Sequence, residues 1–170
     1  MRHIQFVAFI LLSLSCAAQS SGSVDDFSIT LERGPCEGVC PWYSVTILGN
    51  GSVRYEGQFD VRIKGARKNT IPRSDVHELI QKLRDEDFFR WEDKTDLCVD
   101  YPEIKITVTA GRQHKEVREG CLAPGRVLEL AKEIDKISQS EVWVGTTMER
   151  GGGHFIRDEN GEWRYLKPNR

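Results

Sequence analysis

Tyr43, Val45 and Ile47 alternate with Ser44 and Thr46, and beyond Gly49-Asn50-Gly51 the chain resumes with Val53 and Tyr55. Period-two alternation fits a strand with one buried face, and a Gly/Asn turn between two such runs folds them back on each other. This one feature commits the chain to antiparallel pairing with one wet face. Phe27-Ser28-Ile29-Thr30-Leu31-Glu32 repeats the alternation before Gly34-Pro35 breaks it. A weaker fourth strand is predicted around Val61 to Ile63, with basic residues following as far as Lys68. Ile104, Ile106 and Val108 alternate with Lys105, Thr107 and Thr109, and Gly111 turns them towards a pairing segment at His114 to Glu119.

Two segments change period. Pro72 opens a helix, because proline tolerates a first turn, and Asp75 suits the positive end of the helix dipole. Val76, Leu79, Ile80 and Leu83 follow at helical spacing, and Phe88-Phe89 closes onto the same core. A second helix from Pro124 presents Val127, Leu130, Ala131, Ile134 and Ile137 on one face. Arg126, Glu129, Lys132, Glu133 and Lys136 fall mostly outside that stripe. A short apolar piece follows at Val142-Trp143-Val144. The order ββββ-α-ββ-α has too few helices to cross over between every pair of strands. The predicted fold is therefore α+β: a mainly antiparallel sheet with two helices packed on one face.

The N-terminus carries a different signal. Met1-Arg2-His3 precedes a mostly apolar run from Ile4 to Leu14, with small residues at Ser15, Ala17 and Ala18. This is the layout of a secretory signal over residues 1–18, too short to span a bilayer core of ~30 Å. Two processing readings stand. Leu12-Ser13-Leu14-Ser15-Cys16 resembles a bacterial lipobox, with Cys16 as the lipidated residue, although Ser13 replaces the usual leucine. Small residues around Ala18 instead suit an ordinary signal peptidase. The small polar segment that follows, read as a flexible tether over residues 19–26, favours the lipoprotein. Residues 27–145 then form the domain, and residues 146–170 a glycine linker and C-terminal hairpin, turned at Asn160-Gly161. Trp163 and Tyr165 in that hairpin must pack on the domain or on a partner. A net charge of −2 gives no electrostatic case for nucleic acid or for a polybasic membrane patch.

Export fixes the meaning of the remaining cysteines, Cys36, Cys40, Cys98 and Cys121. An even number in an oxidising compartment reads as two disulfides with three open pairings. Cys36 and Cys40 bound a Gly/Pro loop, while Cys98 and Cys121 flank the hairpin centred near Gly111, so 36–40 with 98–121 is favoured. Zinc at these four lacks tight spacing. A redox pair at Cys36/Cys40 lacks a helix N-terminus or a cationic neighbour inside the loop. The acids from Asp85 to Glu103 lack a calcium-loop pattern. His77, His114 and His154 form no H-E-x-x-H, and no serine has nucleophile-elbow context. No catalytic, cofactor or metal residues are nominated.

Ile29-Thr30-Leu31-Glu32-Arg33-Gly34-Pro35-Cys36, then Gly38, Cys40-Pro41 and Tyr43-Ser44-Val45, resembles the opening motif of a bacterial domain-of-unknown-function family, number 6438. Gly51, Tyr55-Glu56-Gly57, Phe88-Phe89, Thr95-Asp96 and Ala123-Pro124 extend the resemblance to about residues 27–144. It implies an exported or lipid-anchored envelope protein without an assigned activity, and no catalytic residue carries over. The Cys36/Cys40 loop is shared, whereas Cys98 and Cys121 fall outside the family pattern. The expected function is a non-catalytic binding or accessory domain of the periplasm or membrane surface. Its partner is an unspecified protein or envelope component, met through a contact surface at Trp42, Tyr43, Trp163 and Tyr165. Two alternatives are a small periplasmic inhibitor of a secreted enzyme and a thiol-redox protein using Cys36/Cys40.

Overall fold

A computed structural model describes residues 24–36, 39–93, 102–119 and 125–145, together with strands at 154–157 and 163–166. Six strands form one sheet: β1 (Phe27–Arg33), β2 (Trp42–Leu48), β3 (Ser52–Phe59), β4 (Gly65–Thr70), β5 (Ile104–Ala110) and β6 (Gln113–Glu119). Their order is β4-β3-β2-β1-β5-β6, antiparallel throughout. Helix α1 (Arg73–Asp85) follows β4, and α2 (Arg126–Ser138) and a single turn, α3 (Glu141–Val144), follow β6. A separate hairpin joins β7 (His154–Arg157) to β8 (Trp163–Leu166).

Alternation decides the layers. Ile29 and Leu31 of β1, Val45 and Ile47 of β2, and Ile106 and Val108 of β5 are buried, while their even-numbered neighbours on β1 and β2 stay half-open. Onto that single apolar face α1 sets Val76, Leu79 and Leu83, and α2 sets Val127, Leu130, Ala131 and Ile134. Each such side chain contributes roughly 1.5–3 kcal/mol when taken out of water. Phe88 and Trp91 close the core after α1, with their rings 5.1 Å apart and the Arg126 guanidinium 4.7 Å above the Trp91 ring.

The β2–β3 turn is built as its glycines demand. Gly51 adopts φ 87° and its N–H bonds back to the Leu48 carbonyl at 2.9 Å. Helix α2 lacks a side-chain cap of its own. The Glu119 carboxylate, from the end of β6, instead accepts the N–H groups of Gly125 and Leu128 at 2.8 and 2.9 Å. That placement satisfies orphan donors and puts negative charge at the helix N-terminus.

Two expectations are corrected. The fourth strand is the polar segment Gly65–Thr70, and Val61 to Ile63 belong to the connection before it. β3 runs on to Phe59, and Asp60 with φ 50° and Gly65 with φ 77° bracket the reversal. Val24–Asp26, expected at the end of a tether, form one 3-10 turn because Val24 packs on the core. The signal segment and residues 19–23 lie outside the described residues. No described helix is long and apolar enough to cross a membrane.

Candidate functional site

Trp42 and Tyr43, expected together on a contact surface, are parted by the alternation of β2. Tyr43 turns inward beside Val45 and Ile47 and is only 3% exposed, so its ring is not available to a partner. Arg33 has the same parity as Ile29 and Leu31, and the β1–β2 register sets it opposite Tyr43. The last inward position of the central strand is thus a charged one.

Asp135, on the buried face of α2, answers it. Arg33 Nη2 donates to Asp135 Oδ2 at 2.8 Å, and Arg33 Nε is shared between Asp135 Oδ2 at 3.2 Å and Tyr43 Oη at 2.9 Å. Tyr43 Oη donates to Asp135 Oδ1 at 2.7 Å, and Ser140 Oγ donates to the same oxygen at 2.6 Å. The side chains of the ion pair are 14% and 9% exposed. Ser138 Oγ and the Ser140 N–H both donate to the Asp135 carbonyl, at 3.1 Å each, which fixes the end of α2 around the acid. Burial lowers the tendency of Arg33 to hold its proton, but Tyr43 and Asp135 outweigh it and leave the pKa raised. Burial, then the Asp135 charge, pushes the Tyr43 hydroxyl well above its ordinary value. Tyr55, which packs 5.7 Å from Tyr43, is pushed up to about 12 by burial and then by the same charge. Both shifts keep the protons of Arg33 and Tyr43 in place.

A cleft of about 430 Å³ opens over the clamp between Pro41, Pro102, Glu141, Val144 and Gly145. Helix α3 walls it, held to the β3–β4 connection by the N–H of Arg62 on the Val144 carbonyl and of Ile63 on the Trp143 carbonyl, both at 2.9 Å. The Trp143 ring stacks at a tilt on Tyr55 at 5.1 Å. Gly57 sits beneath this layer, where a Cβ would collide with the Ile63 carbonyl and the Tyr55 ring.

The second feature lies on the other side of the same strand end. Cys36 and Cys40 are joined by a disulfide, with Cα atoms 5.8 Å apart, tying the connection between β1 and β2. Next to it Trp42 stacks on Phe59, with ring centroids 5.4 Å apart and planes at 28°. A bulge between Trp42 and Tyr43 lets Trp42 pair with Phe59 while Tyr43 pairs with Gly57. Phe59 is 56% exposed and carries Lys64 Nζ at 5.3 Å from its centroid. A shallow cleft of about 280 Å³ runs over Pro35, the disulfide, Trp42 and Phe59.

The other expected residues fall elsewhere. Cys16, Cys98 and Cys121 lie outside the described residues, so the 98–121 pairing does too. Trp163 and Tyr165 lie in β8, opposite Arg157 and Phe155 in the hairpin register. Among the described residues no cluster of three or more His, Cys, Asp or Glu is placed to hold a metal ion. Sequence reasoning missed the clamp, although both signals were present. Arg33 continues the inward parity of Phe27, Ile29 and Leu31, and Asp135 lies among Ala131, Ile134 and Ser138 in the helical stripe.

No curated protein matches the chain. A family model, Domain of unknown function (DUF6438), matches residues 27–138, the span that carries the sheet, the disulfide and the Arg33–Tyr43–Asp135 clamp, and the chain belongs to that family.

Proposed function

We propose that this is an exported envelope protein, tethered by a lipid on Cys16, whose domain binds a partner and catalyses nothing. The observation that carries the binding role is the Trp42–Phe59 stack, half of it open to solvent beside a loop tied by a disulfide. An exposed aromatic pair on a rigid support is the kind of anchor that binding surfaces use. The commitment of the buried groups supports the non-catalytic half. A tyrosine acting as a base needs a lowered pKa, whereas the Tyr43 proton is engaged by Asp135, and both Asp135 oxygens are already occupied. The Cys36–Cys40 disulfide fits an oxidising compartment, in line with the signal-like N-terminus.

A narrower reading, an inhibitor of a secreted enzyme, is favoured by exposed Val39 within the tied loop, since rigid loops lose little entropy on docking. Intact mass of the protein from its own envelope, alkylated before and after reduction, tests localisation and thiol state together. A diacylglyceryl addition on Cys16, with thiols reacting only after reduction, is the expected result. Free, cycling thiols at Cys36 and Cys40 would replace the binding role with the redox one. Co-purification of a stoichiometric protein partner, lost in Trp42→Ala, would favour the inhibitor.

A further inference from the structure

The cleft over the Arg33–Asp135 pair is shaped by where three chain segments meet. Arg33 is the last residue of β1, and the register sets Tyr43 and Ile104 on either side of it. Pro41 and Pro102 stand two residues before those partners, and both line the cleft. Glu141 and Val144, the first and last residues of α3, line it too. The Gly145 N–H closes that turn on the Glu141 carbonyl at 2.8 Å. At about 430 Å³ the cleft falls within the range of small-molecule sites, roughly 300–1,000 Å³.

Two polar groups of this lining have capacity left over. Arg33 donates through Nε and Nη2, and among the described residues nothing accepts from Nη1. The exposed Glu141 side chain likewise has no hydrogen bond or ion pair among the described residues. The remaining polar groups are committed. Asp135 answers the Arg33 charge at 2.8 Å, and its other oxygen accepts from Tyr43 and Ser140. The cleft therefore offers a donor edge whose charge is already neutralised, one carboxylate, and apolar walls at Pro41, Pro102 and Val144.

Each of these features excludes a class of ligand. An anion meets the unanswered charge of Glu141. A hydrocarbon covers Nη1 without accepting from it and leaves a donor unsatisfied. A bare amine suits Glu141 but turns a second cation towards the guanidinium. What fits is an ammonium with a neutral carbonyl oxygen beside it and an apolar side chain, which together make the first residue of a peptide. We propose that this cleft binds a peptide N-terminus. Its ammonium sits on Glu141, its first carbonyl oxygen accepts from Arg33 Nη1, and an apolar first side chain lies against Pro41, Pro102 and Val144. The site is separate from the Trp42–Phe59 ledge and does not depend on the partner proposed there.

The test titrates the mature full-length chain with leucyl-glycine amide and follows the backbone amide resonances of Val144 and Gly145. Saturable shifts are expected. N-acetyl-leucyl-glycine amide lacks the ammonium and 3-methylbutylamine lacks the carbonyl, and each should bind about tenfold or more weakly. Glu141→Gln, at an exposed position, should weaken the amide to a similar extent with an unchanged melting temperature. No saturable shift with leucyl-glycine amide overturns the inference. So does equal binding of the acetylated peptide, or an affinity that Glu141→Gln leaves unchanged. If 3-methylbutylamine binds as well as the amide, Arg33 reads no carbonyl and the peptide is overturned. Tighter binding of free leucine hands the cleft to free amino acids, with the same result. None of these outcomes touches the partner at Trp42, which is sought by co-purification.

Discussion

Glu32 and Arg33 are consecutive in the chain and end up on opposite sides of the sheet, each in an ion pair. On the open face Glu32 meets Lys105 at 2.9 Å, with the glutamate side chain 45% exposed. On the covered face Arg33 meets Asp135 at 2.8 Å and shares it with Tyr43 and Ser140. The distances are nearly equal and the energetics are not. Water screens the first pair, whose formation is worth about 0–1 kcal/mol. The second is largely out of water, and its charges are tolerable because both Asp135 oxygens are hydrogen-bonded, one by Arg33 and the other by Tyr43 and Ser140. A salt bridge is therefore informative here for what its loss would strand.

The sharpest way to break this comparison is Asp135→Ala. It strands the Arg33 guanidinium and the Tyr43 hydroxyl, and should cost about 3–5 kcal/mol in denaturant unfolding. A cost below about 1 kcal/mol would put the two faces on a par. Joint replacement, Arg33→Met with Asp135→Leu, removes both charges and keeps apolar volume. Its stability should return to within about 1–2 kcal/mol of wild type, since buried pairs barely exceed hydrophobic isosteres. If the double variant stays as weak as Asp135→Ala, the clamp positions α2 in a way that charge balance does not explain.

Alkaline titration probes the covered face next. An unfolded tyrosine ionises near pH 10, whereas Tyr55 in the fold holds its proton to about 12 and Tyr43 is raised as well. Below about pH 10 both states are protonated and stability is at its full value. From about 10 to 12 the unfolded chain sheds protons first, so the melting temperature should fall across that interval. Tyr43→Phe should make the fall shallower while lowering the neutral-pH value. A flat curve across the interval would sink the assignment. The smallest effect belongs to the open face: Lys105→Ala should cost no more than about 0.5 kcal/mol, and less in high salt.

Most of the architecture was legible because sheet and helix write different periods into the chain. The hairpin around Gly51 and the stripe of α2 both follow from spacing alone. β4 was not legible, since Gly65–Thr70 is a polar edge strand with no alternation, while Val61 carried the apolar signal as a buried loop residue. The clamp hid for a different reason. Periodicity assigns a face without saying which polar residues on that face will find each other, and Arg33 and Asp135 are 102 positions apart. Trp42 and Tyr43 show the converse: their opposite parity was available, and grouping them by chemistry concealed it.

The position of β1 has a consequence for assembly. Among the described residues every strand pairing except β1–β5 joins neighbours in the chain, such as Ile47 with Val53 or Ile106 with Val117. A polypeptide severed between α1 and β5 therefore keeps each hairpin whole within one piece. The β1–β5 ladder and the Arg33–Asp135 contact span the cut. Two such fragments should complement each other in solution, and in the intact protein the closure of this one distant seam should set the pace of folding.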